Sequence, residues 1–158
     1  MESIPVLTIE DVANIDGVLQ EYLQKSESDL AVIIDKGGNI ISQCGDREVM
    51  DVTIIAALAA GSFAATKELA RRIGEVEFNA LYHQGNGSHI FMNSVDDDTI
   101  MITVFGSRQT TVGLVRYYST GACQSMATLL HSLRGKDQSH GFQFDAADIV
   151  ASQLAEGR

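Results

Sequence analysis

Residues 51–74 constrain the fold more than any other stretch, because they form one long apolar segment with helical spacing. At about 100° per residue, apolar positions three and four apart share one side of a helix. We predict that one stripe of this central helix faces a core. That stripe contains Ile55, Leu58, Ser62, Thr66, Leu69 and Ile73, flanked by Ala59 and Ala65.

The opposite stripe of the same helix is built from small apolar residues in its first half, where a solvated helix normally carries charges. Its members are Thr53, Ala57, Ala60, Ala64, Lys67, Glu68 and Arg71. Alanine is also the best helix former, so this composition needs no partner to explain it. The alternative interpretation is a docking surface, because small side chains allow another backbone to approach closely.

Length and charge limit the class of protein. The chain has 158 residues, enough for one domain with a real core, and a net charge of -10 that would repel a nucleic acid backbone. Cys44 and Cys123 form neither a disulfide framework nor a zinc pattern and are interpreted as small buried hydrophobes. No signal peptide or membrane span is evident, so we expect a cytoplasmic protein without membrane insertion.

Periodicity and turn residues predict an α+β fold with the element order α-β-β-α-β-β-β-α. Glycines in the turn at 36–39 favour a tight β-hairpin, and the turns at 85–87 and 96–98 are short enough to force antiparallel neighbours. The predicted helices are 9–25, 51–74 and 110–133, and the predicted strands are 30–35, 40–44, 78–84, 88–95 and 99–105. The third helix places Leu114, Tyr117, Tyr118, Gly121, Ser125, Thr128 and Leu129 near one face.

The last segment differs in character from the domain at 1–134. Residues 135–141 are polar and flanked by glycine, which is typical of a linker. The tail at 142–158 then has a short amphipathic pattern, which Asp145 can cap. A helix this short is marginal alone in water. The tail is therefore either disordered in the free protein, packed on the domain, or folded onto a partner.

Few residue clusters suggest chemistry. His83 and His89 flank a turn and could form a metal site across a hairpin, but no third ligand is evident, and solvated neutral imidazoles are the simpler interpretation. The acidic residues at 96–98 lack the spacing of a calcium loop, and the glycines at 85–87 lack the context of a phosphate loop. Arg108 and Arg116 are either an anion site or structural residues.

No nucleophile motif is present, and neither cysteine has a histidine near it in sequence. We therefore predict no catalytic residue, no metal and no cofactor.

Three stretches resemble the roadblock / dynein light-chain family. They are the hairpin Val32–Gly45, the central helix with its exit at Thr53–Phe78, and TTVGLVRYY at Thr110–Tyr118, in which GLVR is the most specific. Within the family, AGSFAATKELARRIGEVEF together with the late FDAADIVASQL is most similar to the bacterial MglB type. The resemblance covers about residues 8–134.

This resemblance implies a longin-like, profilin-like fold: a five-stranded antiparallel sheet with the central helix on one face and two helices on the other. It also implies a homodimer, paired through an edge strand and the central helices, that binds an MglA-like small GTPase of the Ras type. Such a dimer modulates the nucleotide state by activation or exchange, in cell polarity or gliding motility, and supplies no catalytic residue of its own.

The resemblance assigns the partner-binding and dimer face to Ala57, Ala60, Ala64, Lys67, Glu68 and Arg71. It assigns a tail contact with the GTPase to Ile149, Val150 and Leu154. Two other classes stay open at this point. One is a dimeric adaptor that joins larger proteins without affecting nucleotide turnover, and the other is an enzyme or small-ligand sensor on a profilin-like sheet, which would need a polar cluster or an apolar pocket.

Overall fold

The structure is a computed structural model, and it describes residues 6–46, 48 and 50–156, with only the backbone of 137–156. The predicted order of elements is confirmed. The helices are α1 (Ile9–Ser26), α2 (Val52–Arg72) and α3 (Val112–Glu156). The strands are β1 (Leu30–Asp35), β2 (Ile40–Gly45), β3 (Ala80–Gln84), β4 (Ser88–Asp96) and β5 (Thr99–Gly106).

The five strands form one antiparallel sheet in the order β2-β1-β5-β4-β3. Side chains alternate between the two faces along each strand. In β1, Leu30, Val32 and Ile34 pack with α2, whereas Ala31 and Ile33 pack with α1 and α3. The prediction of one helix on one face and two on the other is therefore confirmed, and the central strands β1 and β5 are buried on both sides.

The turn between β1 and β2 is held by the carboxylate of Asp35. Its Oδ1 accepts hydrogen bonds from the backbone amides of Gly37 and Asn39, each at 2.9 Å. Gly38 has a φ of 86°, which favours glycine. A Cβ built at Gly38 would lie 3.0 Å from the Cα of Ala57, so this glycine lets the hairpin press against α2.

The predicted orientation of α2 is wrong. The residues that face the sheet are Val52, Ala56, Ala59, Ala60, Phe63, Thr66 and Ala70. Of the predicted core stripe and its flanking alanines, only Thr66 and Ala59 are buried, whereas Leu58, Leu69 and Ile73 are more than half exposed. The small side chains let the helix lie close to the sheet, and Phe63 fills the space between them.

In helix α3, too, the buried side differs from the face that the sequence pattern indicated. Leu114 and Tyr117 of the predicted face are 42% and 75% exposed. The buried side consists of Val115, Ser119, Ala122, Cys123, Met126, Leu130 and Leu133. The helix continues without a break through 135–141, so the structure draws no boundary at the predicted linker. The division of the chain into a domain at 1–134, a linker and a tail stays a prediction.

An ion pair connects α3 to the turn between β4 and β5. The guanidinium of Arg134 donates to Asp96 Oδ2 at 2.9 Å, and both side chains are about three-quarters buried. On the same turn, Lys36 pairs with Asp98 at 3.0 Å, and this hydrogen bond lowers the pKa of the Asp98 carboxyl. The acidic turn at 96–98 is thus held from two sides.

Shortening a side chain on the two sides of α2 is expected to cost very different amounts of stability. Phe63→Ala is expected to lower the free energy of unfolding by about 3–5 kcal/mol, because it removes a fully buried ring from the core. Leu58→Ala is expected to cost less than about 1 kcal/mol in the monomer, because Leu58 is 66% exposed. Urea denaturation at low protein concentration measures both. Equal losses would mean that the helix is rotated relative to this structure.

The close approach at Gly38 gives a second prediction. Gly38→Ala is expected to destabilise the fold by about 1–3 kcal/mol, because the backbone conformation is strained for alanine and the added methyl group meets Ala57. Gly17→Ala is the matched control, since a Cβ at this helical position meets nothing within 4 Å. That control is expected to stabilise α1 by up to about 1 kcal/mol. Thermal unfolding of both variants checks the difference in sign.

Candidate docking surface

One exposed side of α2 is apolar from Ile54 to Leu69. We define the α2 outer face as the exposed residues Ile54, Ala57, Leu58, Gly61, Ala64, Ala65 and Leu69. Ile54, Leu58 and Leu69 are 56%, 66% and 61% exposed. The solvent side of a surface helix normally carries charged residues, and a helix that is apolar all round is normally buried. The α2 outer face therefore has the character of a covered surface.

Helix α2 has the length and the mean hydropathy, 1.4 over its most apolar window, of a membrane-spanning helix, yet only 33% of that window is buried. Its inner side packs against β1 and β5 of a folded sheet. A helix held in this way cannot be surrounded by lipid. We interpret the apolar outer side as a site of protein contact, within a soluble domain.

Gly61 lies at the centre of the α2 outer face, and no contact with another described residue requires a glycine there. A Cβ at this position would meet nothing within 4 Å. An interior helical glycine costs about 1 kcal/mol relative to alanine. Together with the alanines around it, Gly61 puts only small side chains between Leu58 and Leu69, which allows a second helix to approach closely.

The predicted contact residues do not form one surface. Ala57, Ala64 and Arg71 are exposed, and Lys67 and Glu68 are half-buried. Ala60 is only 7% exposed and belongs to the core against the sheet, so its assignment to the contact face is corrected. The cause is the orientation of α2, which turns position 60 inward. The other five positions stay predictions as contact residues.

The carboxyl end of α2 carries the charges that border this face. Glu68 accepts hydrogen bonds from Arg71 and Arg72, both at 2.9 Å, and Lys67 lies 4.0 Å from Glu77. Basic residues at this end also complement the helix dipole. Exposed ion pairs of this kind contribute little to stability. Their position suits the polar rim of an interface with an apolar centre.

Strand β3 lies at the edge of the sheet, and its outer side has no neighbouring strand among the described residues. Leu81 on β3 and Ile90 on β4 are only partly buried beside the α2 core. Between α2 and β3, Ile73 and Val76 are 68% and 96% exposed. An exposed edge with apolar neighbours is prone to pair with another chain. The apolar surface thus continues from α2 to the free edge of the sheet.

His89 is not solvated, contrary to the interpretation of its sequence context. It is 6% exposed, and its Nδ1 and Nε2 lie 3.2 Å from the Tyr82 hydroxyl and 2.8 Å from the Ser107 hydroxyl. Its ring stacks on Phe105 at 5.1 Å. His83 is exposed and faces Ile90 across the strand pair. The two histidines therefore do not converge on one site.

The buried reactive side chains are shielded. Burial raises the pKa of the Cys123 thiol to about 12, so it stays protonated at neutral pH. Burial also raises the pKa of Tyr22, whose hydroxyl lies 2.7 Å from that of Thr103. Among the described residues, no group of three or more His, Cys, Asp or Glu side chains could hold a metal ion. These groups act as core residues.

Arg108 is an exposed residue of the loop before α3, and Arg116 lies over the ring of Phe91 at 5.7 Å. The packing interpretation of Arg116 agrees with that contact. Ile149, Val150 and Leu154 lie in the helical backbone of α3, and their side chains fall outside the described residues. The tail contact stays a prediction.

The sequence contains a signal for the α2 outer face that competes with the predicted core stripe. Ile54, Leu58, Gly61, Ala65 and Leu69 recur at intervals of three and four residues, which is itself a helical stripe. Because both sides of α2 are apolar, the sequence contains two apolar stripes, and either one could be assigned to the core. Phe63 is the discriminating residue, since a large aromatic among alanines is best placed in a core.

Comparison with known proteins agrees with this geometry. The family model of the Roadblock/LC7 domain matches residues 14–105, more than half of the chain. MglB from Myxococcus xanthus is 30% identical, with a TM-score of 0.75 over 81% of this chain and 96% of that chain. The gliding protein MglB from Thermus thermophilus is 24% identical, with a TM-score of 0.76 over 84% of this chain and 99% of that chain.

An MglB with a tetrameric arrangement is 23% identical, with a TM-score of 0.77 over 84% of this chain and 99% of that chain. No curated protein matched the sequence. The family model spans the second half of α1, α2 and the strands up to β5. This chain belongs to the Roadblock/LC7 family and is of the MglB type.

Proposed function

We propose that this chain is a homodimeric regulator of a Ras-like small GTPase of the MglA type. The dimer forms through the β3 edge and the α2 outer face, and the paired α2 helices receive the GTPase in the cytoplasm. Binding modulates GTP hydrolysis or nucleotide exchange, in the service of cell polarity or gliding motility. The chain has no enzymatic activity of its own in this role.

The observation that carries the proposal is the α2 outer face. Three large aliphatic side chains and four small residues lie exposed on one side of this helix. Each Å² of apolar surface that a partner buries stabilises the complex by about 25 cal/mol, before the costs of association are subtracted. Contiguous apolar patches of this kind mark interaction sites in soluble domains. The polar rim of Lys67, Glu68 and Arg71 suits a partner that binds and dissociates.

Self-association follows from the free edge of the sheet. Antiparallel pairing of β3 with β3 of a second copy would satisfy the backbone groups on that edge and bring Leu81 and Val76 under cover. It would also bring the two α2 helices to the same side of a continuous sheet. The tetrameric arrangement of one related MglB supports self-association in this type of protein.

Regulation requires a difference in affinity between two states of the GTPase. A dimer that binds the hydrolysis-competent conformation of the GTPase more tightly shifts the population towards that conformation. By the same coupling, binding of the dimer changes the affinity of the GTPase for its nucleotide. The resemblance to the MglB type supports this mechanism, in which the GTPase supplies its own catalytic groups. The role of this chain is then to bind and to orient.

The deciding experiment measures GTP turnover by an MglA-type GTPase with and without the full chain, together with the mass of the mixture in solution. Faster turnover or nucleotide release, with a complex of two chains per GTPase, would support the proposal. A complex with unchanged turnover and release would favour a dimeric adaptor. The absence of any complex would contradict GTPase binding and leave self-association to be tested by mass alone.

Ala64→Arg is expected to leave the fold intact while abolishing GTPase binding. Position 64 is exposed, and a long charged side chain there would overpack a close helix contact. Circular dichroism checks the fold, and a binding titration with the GTPase checks the surface. Gln20→Arg is the matched control, because it adds the same charge to exposed α1. An unfolded Ala64→Arg chain would contradict the orientation of α2.

Truncation after Arg134 is expected to leave a folded dimer with weaker GTPase binding. The truncated chain keeps Leu133, the last buried residue among those described, and the ion pair of Arg134 with Asp96. It loses the predicted tail contacts at Ile149, Val150 and Leu154. Light scattering measures the dimer, and titration with the GTPase measures the affinity. Equal affinity of the truncated and full chains would exclude a role for the tail in this complex.

A further inference from the structure

A cavity of about 340 Å³ lies between α3 and the strands β3 and β4, on the face of the sheet opposite α2. Its floor is apolar where Ala80, Phe91 and Val95 line it, and Ala127 adds a small apolar side chain from the helix. Sites for small molecules are typically apolar clefts of about 300–1,000 Å³ with a few polar groups that orient the ligand. This cavity lies at the lower end of that range, so it suits a ligand with one ring.

Among the described residues that line this cavity, Arg116 is the only one with a charge. The whole chain has 21 acidic and 11 basic residues, so a lining without any carboxylate differs from the rest of the surface. An anion that enters the cavity therefore meets a positive charge and no neighbouring negative one. The charge of the lining favours an anionic ligand.

The guanidinium of Arg116 is placed but not paired. It lies 5.7 Å from the centre of the Phe91 ring, within the range of a cation–π contact. It forms no ion pair with any residue that the structure describes. The hydroxyls of Ser119 and Thr120 donate to the backbone carbonyl of Arg116 at 2.9 Å and 3.0 Å. The N–H groups of Arg116 are thus available to a carboxylate, which a guanidinium can bind through two parallel hydrogen bonds.

Asn93 supplies a second polar group, two residues along β4 from Phe91. Its Nδ2 lies 3.0 Å from the sulfur of Cys123, whereas its Oδ1 is buried and has no hydrogen-bond partner in the part of the chain that the structure describes. A buried amide oxygen without a partner costs free energy. A ligand hydroxyl beside Asn93 can donate to this oxygen when the amide turns towards it. Two residues of a strand span about 7 Å, which sets the distance between the two polar ends of the ligand.

We propose that this cavity binds a small aromatic carboxylate that carries a hydroxyl group at the opposite end of its ring. The carboxylate pairs with Arg116, the ring packs on the apolar floor at Phe91 and Val95, and the hydroxyl group reaches Asn93. The protein would then respond to a small metabolite of this class. The site lies on the face of the sheet opposite the α2 outer face, and the proposal does not rest on GTPase regulation.

The test is an NMR titration of the 15N-labelled full chain with 4-hydroxyphenylacetate as the probe. Saturable shifts are expected at amides that line the cavity, such as those of Asn93, Thr120 and Gln124. Because the ligand is small, a Kd on the order of 1 mM is expected. The neutral amide of the same shape, 4-hydroxyphenylacetamide, should bind at least about tenfold more weakly, because it cannot pair with the guanidinium. Phenylacetate, which lacks the hydroxyl group, should bind about threefold more weakly.

Variants separate the charge of the cavity from its volume. Arg116→Met keeps an apolar stem over the ring and removes the charge, so it should weaken binding of the acid about tenfold and leave binding of the amide unchanged. Arg116→Lys should keep part of the preference for the acid. Ala127→Leu fills the cavity and should weaken binding of both ligands at least about tenfold. The controls Arg108→Met and Ser132→Leu make the same changes at exposed positions outside the cavity, and neither should alter either affinity.

Three results would overturn the proposal. The first is the absence of saturable shifts at cavity residues at about tenfold above the expected Kd. The second is equal affinity for the acid and the amide, and the third is a preference for the acid that persists in Arg116→Met. The NMR spectrum of each variant reports whether it is folded, and Arg116→Gln replaces the methionine variant if that variant unfolds. Because no GTPase is present, these results leave the proposed GTPase regulation untouched, and failure of that regulation leaves the cavity untouched.

Discussion

A single helix cannot cover a sheet of five strands, and the rest of this structure follows from that constraint. Neighbouring strands lie about 4.8 Å apart and a helix with its side chains is about 10 Å wide, so one helix covers roughly two strands. Helix α2 covers β1 and β5, the strands with no exposed side. On the same face Leu81 and Ile90 remain half-buried towards the free edge. The fold therefore leaves apolar sheet surface beside an apolar helix, and a second chain is the natural cover.

The strands and turns were predictable because each carries a local signal. A continuous apolar run marked β1, and the prediction of its range at 30–35 is confirmed. The glycines of the 36–39 turn marked the hairpin, since Gly38 adopts the positive φ that a side chain disfavours. The helix cap at Thr8 depends on local spacing in the same way, because Asp11, three residues later, completes a reciprocal pair of hydrogen bonds with it. Signals of this kind need no knowledge of tertiary contacts.

The orientations of α2 and α3 were not predictable in the same way, because neither helix has a charged side that points to solvent. In α2 the contrast lies between alanines and larger aliphatics, and the alanines face the sheet around Phe63. Size, rather than polarity, decided which side is buried. His89 shows the complementary case: it shares a face of β4 with Phe91, and this alternation could have revealed its burial. The predicted contact face was therefore placed on a helix that does have an exposed apolar side, but it included Ala60, which is buried.

The two surfaces of the domain differ in the partner that they can accept. The α2 outer face is apolar and is bordered by charges of both signs at Lys67, Glu68 and Arg71, which suits a folded protein. On the other face of the sheet, a cavity of about 800 Å³ between α1 and α3 is lined by Tyr22, Tyr117 and Tyr118, and its Lys25 is paired with Glu21. Because the sheet separates them, both can be occupied at once without steric conflict.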